Sequence, residues 1–226
     1  MMKKHLVLYG LLLAVAAWPA AGATLSAEDA AAGLKAALGQ GAGEAIDLLG
    51  KPDGFFANPD VHIPLPGKLE KARKTLGRLG MKKQVAQLDL AINRAAEAAV
   101  PQARQLFSDA IAKMTLSDAL AILKGPDDAA TQYFRKSMTA PLSEAFLPIV
   151  GKATADVDLA KNYDAVAAQA SKLGLVDPAD ASLDAYVTRK ALDGLFLMMA
   201  REEAAIRKDP LGQADALLRK VFSDLK

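Results

Sequence analysis

The polar side chains that could do chemistry are few, and they stand on otherwise apolar helical segments. Arg94 and Glu97 are three residues apart, and Glu203 and Arg207 are four apart, spacings at which two side chains on one helix can pair. Asn93 lies beside the first pair. We expect most of these groups to hydrogen-bond inside the protein, as buried polar groups generally do. The alternative hypothesis is that a few of them orient the polar head of a bound molecule.

Catalytic arrangements are largely excluded by residue type. The chain has no Cys and two His, so cysteine nucleophiles and cysteine-ligated metal sites are ruled out. No H-E-x-x-H, G-x-S-x-G or phosphate-binding loop occurs. The adjacent carboxylates Asp127 with Asp128 and Glu202 with Glu203 do not face each other on a helix. We therefore expect no enzyme, no metal and no cofactor, and a carboxylate pair assembled from distant helices is the catalytic alternative left open.

Residues 1–23 have the pattern of a secretory signal peptide. Lys3 and Lys4 precede an apolar run over 6–17, and 21–23 reads Ala-Gly-Ala, a cleavage motif. The run is shorter than the roughly 20 residues that span a bilayer. We expect cleavage near Ala23 and a periplasmic protein. Because the chain has no Cys, a lipoprotein form is excluded.

Charge gives little indication of a nucleic-acid partner. The whole chain has 28 basic and 26 acidic residues and a formal net charge of +2. Removal of Lys3 and Lys4 with the signal segment leaves equal numbers of both signs. Balanced charge of this kind predicts no nucleic-acid binding.

Residues 24–226 are dominated by good helix formers and contain no alternating strand pattern. We predict an all-α, single-domain, multi-helix bundle of about ten helices with one Pro-rich ordered loop. Two N-terminal caps are visible, Ser26 and the Thr115–Asp118 pair. Glycine or proline marks the expected boundaries: a break at 39–43, an end at Gly50, helices over 67–79 and 81–99, and new helices from Pro101, Asp127, Pro141, about 161, about 182 and Asp209.

Residues 51–66 differ from the rest because four prolines forbid a regular helix. Long ordered loops inside compact domains are often functional, and Phe55 and Phe56 could form a lid. The alternative, which we favour, is a structural strap whose Phe and Ile side chains fill the core.

The segment 182–207 shows the clearest burial signal. Apolar residues occupy nearly every face around Leu195, Phe196, Met198 and Met199. A helix of this kind lies at the centre of a core or against a ligand cavity.

Several multi-residue motifs occur in a familiar order. They are Leu49-Gly50-Lys51, Asp53-Gly54-Phe55, Asn58-Pro59, Ile63-Pro64-Leu65-Pro66, Asn93-Arg94-Ala95-Ala96-Glu97, Asp128 to Phe134, Tyr186-Val187-Thr188, Ala191 to Phe196 and Ile206-Arg207. Over about residues 26–223 the chain resembles the bacterial envelope family catalogued as domain of unknown function 4197. The resemblance implies an exported, helical, single-domain protein and supplies no catalytic residues. Many members look like lipoproteins, and this chain departs from them because it has no Cys.

The first functional hypothesis is a periplasmic carrier that binds an apolar lipid between helices for transport in the envelope. Ligand pockets are mostly apolar with a few placed polar groups, Met suits irregular ligands, and Ala-rich helices suggest a rigid polycyclic lipid such as a sterol or hopanoid. The expected partners are the lipid, envelope transport proteins and, transiently, a membrane. The candidate binding residues are Phe55, Phe56, Asn93, Arg94, Met114, Tyr133, Phe134, Tyr186, Phe196, Met198 and Met199.

The alternative is a non-enzymatic interaction or scaffolding module of the cell envelope. The two hypotheses differ in where polar and apolar residues come together. An open cleft containing Asn93, Arg94, Glu97, Asp128, Tyr133 and Asp193 would favour polar ligands or catalysis. An apolar cavity lined by Phe134, Phe196, Met198 and Met199 would favour the carrier.

Overall fold

The computed structural model describes residues 26–155, 160, 163 and 182–208. Within these residues every regular element is a helix and no strand occurs, which confirms the all-α prediction. The predicted signal peptide over 1–23 and the helices expected around 161–173 and from Asp209 to Phe222 lie outside the described residues.

The first helix, α1, is Ala27–Leu49 and is continuous. It begins at the predicted cap, where the Ser26 hydroxyl accepts the Asp29 N–H at 3.0 Å. The predicted break at 39–43 is wrong. Glycine inside a helix costs only about 1 kcal/mol, and buried residues on both sides of this stretch, from Leu34 to Ile46, keep the helix in one piece.

Helix α2, Gly67–Leu76, leads into α3, Lys82–Ala99, through a π-helical turn at Gly77–Met81. Gly80 lies in that turn with φ +83°, a left-handed conformation that favours glycine. The predicted break at Gly80 is therefore confirmed as a kink between the two helices.

A 3-10 turn, Val100–Gln102, precedes α4, Ala103–Lys113, and α5 follows as Leu116–Leu123. The predicted capping box is present: the Asp118 N–H donates to Thr115 Oγ1 at 3.1 Å, and the Thr115 N–H donates to Asp118 Oδ2 at 3.0 Å. Each bond satisfies a backbone donor that the helix start leaves unpaired.

Helix α6, Ala129–Thr154, passes through two prolines. The prediction that Pro141 starts a new helix is wrong. Proline removes one backbone hydrogen bond and disfavours a helix interior, but here the stripe Met138, Leu142, Phe146 and Val150 is buried on both sides of it. Packing of that stripe outweighs the local preference.

The last described helix, α7, is Leu183–Lys208 and matches the predicted segment. α6 packs against α3 and α7, and α1 packs against α7, α4 and α5. Because α1 and α6 are each one long helix, the described residues form fewer and longer helices than the bundle of about ten that was predicted.

Candidate functional site

An apolar groove lies where α1, α6 and α7 meet. It is small, with about 20 Å³ open to the centre of a water-sized sphere. We call it the α1–α6–α7 groove, and its lining residues are Ala37, Leu38, Gly41, Ala42, Ala130, Thr131, Phe134, Met199, Glu203 and Ile206. Thr131 and Glu203 are the two polar residues among them.

The wall residue Glu203 is fully engaged within the protein. Its Oε1 accepts the Ala130 N–H at 2.9 Å and its Oε2 accepts the Thr131 N–H at 2.9 Å. These donors belong to the first turn of α6, where backbone N–H groups lack helical partners. The Arg207 guanidinium forms an ion pair with Glu203, with Nη2 2.9 Å from Oε1, and also donates to the Ile122 carbonyl at 3.0 Å. The carboxylate therefore caps α6 and joins it to α7, and Arg207 extends the connection to α5. Its oxygens already accept hydrogen bonds within the protein, so they offer little to a polar group in the groove.

A pair of acidic side chains, Glu44 of α1 and Glu202 of α7, lies beside the groove. Burial raises the pKa of the Glu202 carboxyl, and the charge of Glu44 and a hydrogen bond with it raise that pKa further. The two helices pack closely at Gly41, where a Cβ would be in ordinary van der Waals contact with Glu202 Cβ at 3.5 Å. Gln40 Nε2 donates to Glu44 Oε1 at 2.8 Å.

Residues 51–66, which we call the strap, connect α1 to α2 without forming a helix. Phe55, Ile63 and Leu65 are each buried. Gly194 of α7 makes room for the strap, because a Cβ there would be 2.8 Å from Phe55 Cε1. Gly54 does the same at the end of α1, where a Cβ would be 2.5 Å from the Leu49 carbonyl oxygen.

The side chain of Asn93, fully buried on α3, fixes the middle of the strap. Asn93 Oδ1 accepts the Ile63 N–H at 2.8 Å, and Nδ2 donates to the Ile63 carbonyl at 3.0 Å. At the strap's end the Tyr186 hydroxyl donates to the Pro64 carbonyl at 3.0 Å. Asn93 thus pairs with one strap residue as a neighbouring β-strand would.

Glu97, also buried on α3, fixes the start of the strap. Its Oε1 accepts the backbone N–H groups of Phe55 and Phe56, each at 3.0 Å. Arg94 bridges Glu97 and Asp53, at 2.6 Å from each carboxylate, and its guanidinium lies 5.8 Å from the centre of the Phe56 ring. Asp53 has φ +68°, in the left-handed region that Asp adopts more readily than most residues.

The family model described as "Protein of unknown function (DUF4197)" matches residues 24–223. The chain belongs to the DUF4197 family. Comparison with curated proteins and with solved structures found no match. In this DUF4197 chain Asn93 and Glu97, two of the motif residues that carry the resemblance, are the residues that anchor the strap.

The structure divides the predicted binding residues of this DUF4197 chain between several places. Phe134 and Met199 line the groove. Phe55, Phe56, Asn93, Arg94 and Tyr186 belong to the strap and its anchors. The remaining four, Met114, Tyr133, Phe196 and Met198, are not among the groove's lining residues.

Aromatic rings tie the groove to the core. Phe107 of α4 meets Phe134 edge to face with centroids 5.2 Å apart and lies 6.4 Å from Phe196. The Arg135 guanidinium is 4.8 Å from the Phe196 ring centre. Tyr133 packs on Phe134 at 5.5 Å, and burial together with the charge of Asp118 raises the pKa of its phenol.

The polar residues do not converge on one cleft. Asn93, Arg94 and Glu97 serve the strap, whereas Asp128 accepts a hydrogen bond from Gln132 at 2.8 Å. Asp193 lies 3.4 Å from Arg135 and 3.7 Å from Lys190. No group of three or more metal-ligating side chains is found in the described part of the chain.

Sequence reasoning missed most of the groove in this DUF4197 chain. Leu38, Gly41, Ala42 and Ile206 line it, and none of them was a candidate. Small residues on an amphipathic helix give no individual signal of a cavity. The spacing of Gly41 and Ala42 between buried Leu38 and Ile46 could have suggested a close helix contact.

None of the described helices combines the length and apolar character that a membrane crossing requires.

Proposed function

We propose that this protein holds the apolar part of a lipid in the α1–α6–α7 groove and acts as a non-enzymatic carrier in the periplasm. The observation that carries the proposal is the lining of the groove. Eight of its residues are apolar or glycine, and the Glu203 carboxylate in its wall is already satisfied by α6 and Arg207. Removing apolar surface from water is therefore the main gain available to a ligand there.

The size of the groove limits what it holds. Pockets that enclose a whole small ligand measure about 300–1,000 Å³, whereas this groove offers only about 20 Å³ to the centre of a water-sized sphere. It therefore seats no more than one edge of the lipid's apolar part, with the rest of the lipid outside. Ala37, Gly41 and Ala42 give α1 a flat wall, which supports a rigid polycyclic lipid such as a sterol or hopanoid as cargo.

The proposal includes the route to the periplasm that the N-terminal residues predict. Residues 1–23 act as a cleaved signal peptide, and a chain without Cys cannot carry a lipid on cysteine. Loading and delivery require transient contact with a membrane or with envelope transport proteins, which are the proposed partners.

The decisive experiment is native mass spectrometry of the protein purified from its host envelope without detergent, followed by solvent extraction and lipid identification. We expect a stoichiometric bound mass that proves to be a lipid. Ala42→Phe fills the groove and should abolish the bound mass. Ala36→Phe places the same ring on the exposed side of α1 and should leave it unchanged.

Two outcomes would contradict the carrier. One is a clean apo mass that does not shift after incubation with host lipid extract, which would leave the envelope interaction module as the surviving hypothesis. The other is a bound lipid that Ala42→Phe retains while circular dichroism shows an intact fold, because the lipid would then lie elsewhere.

A further inference from the structure

The most uneven charge distribution in the described chain lies outside the groove and the strap. Residues 67–83, which comprise α2, the π-helical turn and the start of α3, form what we call the basic segment. Its acidic residue is Glu70, and its basic residues are Lys68, Lys71, Arg73, Lys74, Arg78, Lys82 and Lys83. The whole chain has a formal net charge of only +2, so positive charge is concentrated here.

Most of this charge faces solvent without a counter-ion. Five basic side chains are exposed and form no ion pair with a carboxylate of the described residues: Lys71, Lys74, Arg78, Lys82 and Lys83. Arg73 differs, because it lies 2.9 Å from Glu70 and 3.3 Å from Asp89. Arg73 thereby ties α2 to α3 and leaves the other five available to a partner.

An exposed leucine stands among these charges. Leu79 is 71% exposed, the largest exposure among the large apolar side chains of the described chain. It follows Arg78 and precedes Gly80, whose φ of +83° bends the chain at this point. No residue of the π-helical turn is buried, so core packing does not explain the leucine.

We propose that the basic segment docks on the surface of an anionic phospholipid membrane, with Leu79 entering the headgroup layer. Clustered Lys and Arg are attracted to anionic lipid surfaces, and apolar side chains beside them bury into the boundary between headgroups and acyl chains. Leu79 favours a membrane over the phosphate backbone of a nucleic acid, since phosphates offer an apolar side chain nothing to bury against. This inference does not depend on the groove or on its cargo.

The test is co-sedimentation with vesicles of phosphatidylglycerol and phosphatidylcholine, compared with vesicles of phosphatidylcholine alone. We expect binding to the anionic vesicles, weakened by added salt because exposed charges are screened. Neutralising four exposed basic residues should lower the affinity at least about tenfold. That variant is Lys74→Gln, Arg78→Gln, Lys82→Gln and Lys83→Gln.

A matched variant controls for total charge. It removes four exposed lysines, from α4, from the residue that follows α5 and from α6, and should bind as the unchanged protein does: Lys113→Gln, Lys124→Gln, Lys136→Gln and Lys152→Gln. Both variants keep the same N-terminal residues, so any contribution of those residues to binding is common to both.

Leu79 is tested separately by fluorescence. In a chain with Trp18→Phe, the substitution Leu79→Trp supplies the single Trp, since the sequence has one. We expect a blue shift of its emission with anionic vesicles and none with phosphatidylcholine alone. Leu79→Ser should weaken binding and leave its salt dependence unchanged.

Three results would overturn the proposal. The first is equal vesicle binding by the two four-site variants, and the second is equal binding to anionic and neutral vesicles. The third is binding of a DNA oligonucleotide through the same lysines with no binding to vesicles, which would reassign the segment to a polyanion.

Discussion

At the scale of single residues, this protein uses its buried carboxylates as connectors. Glu97 joins α3 to the strap, and Glu203 joins α7 to the start of α6. Both carboxylates accept backbone N–H groups and pair with an arginine on the same helix, Arg94 or Arg207. Buried charge is tolerated when it is paired and hydrogen-bonded, and both carboxylates meet that condition.

Glu203→Ala should destabilise the fold strongly. It removes the cap of α6 and takes the paired carboxylate away from Arg207, which is only 12% exposed. Breaking a buried pair by removing one member costs about 3–5 kcal/mol, and we expect the lower part of that range because the pair is near the surface. Urea unfolding measures the change. Glu144→Ala, exposed on the same α6, should stay within about 0.5 kcal/mol, and an equal effect of both variants would refute the cap.

Glu202→Gln should stabilise the protein at neutral pH. The raised pKa of Glu202 means that the folded chain holds more protons than the unfolded chain, so stability falls as the pH rises between the two pKa values. Removing the charge should gain less than about 1 kcal/mol, because the side chain is partly solvated.

The gain from Glu202→Gln should shrink as the pH falls toward 4.5, the ordinary glutamate value. Urea unfolding across the pH range measures it, with Glu144→Gln as the matched exposed control. A gain that is the same at all pH values would contradict the raised pKa of the partly buried Glu202 carboxyl as its source.

At the scale of elements, packing decides where helices begin and end. α1 runs through four glycines and α6 through two prolines, because each helix keeps a buried stripe on both sides of its weak residues. The strap is the converse case: its prolines exclude a helix, and α3 supplies the hydrogen bonds that the strap backbone lacks.

Gly39→Ala tests the continuity of α1. A Cβ at Gly39 meets nothing within 4 Å, so the alanine gains helix propensity without a clash, and we expect about 0.5–1 kcal/mol of added stability. Thermal unfolding measures it. Gly54→Ala is the contrasting variant and should destabilise, because its Cβ would be 2.5 Å from the Leu49 carbonyl oxygen. No gain from Gly39→Ala would indicate that α1 is broken there.

Asn93→Ala should loosen the strap. It leaves the N–H and C=O of Ile63 buried without partners, each at a cost of about 1–3 kcal/mol. Hydrogen exchange should show faster exchange of the Ile63 amide. Gln84→Ala, at an exposed position of the same helix, should change neither stability nor exchange, and unchanged protection of Ile63 in Asn93→Ala would contradict the anchor.

At the scale of the whole molecule, one apolar core joins α1, α3, α4, α6, α7 and the strap. The surface charge is unevenly distributed, with basic residues concentrated in the basic segment. Phe107 brings α4 against α6 and α7 through its contacts with Phe134 and Phe196. The basic segment carries little of this core. The groove lies where three of the packed helices meet, so the same packing forms the fold and the candidate site.

Phe107→Ala should destabilise the whole domain in one transition. Phe107 is 1% exposed, and deleting a buried phenylalanine costs about 3–5 kcal/mol, a large share of the usual 5–15 kcal/mol. Urea unfolding followed by circular dichroism measures it. Leu116→Ala, at a position 40% exposed, should cost far less. A small effect of Phe107→Ala, or a second transition, would contradict a single shared core.

The sequence alone determined the helical class, the caps at Ser26 and Thr115, the non-helical strap and the family, since these depend on local propensities and on motifs. It also predicted the Arg94–Glu97 and Glu203–Arg207 pairs, because helical spacing brings those side chains together. Which backbone groups Glu97 and Glu203 bind was not predictable, as those partners lie 41 to 73 residues away along the chain.

Tertiary structure decided the rest. It made α1 and α6 continuous, because burial on both sides outweighs the cost of glycine or proline. It also formed the groove from small residues of α1 and distant residues of α6 and α7, an arrangement that depends on how helices pack and leaves no periodic signal in any one of them.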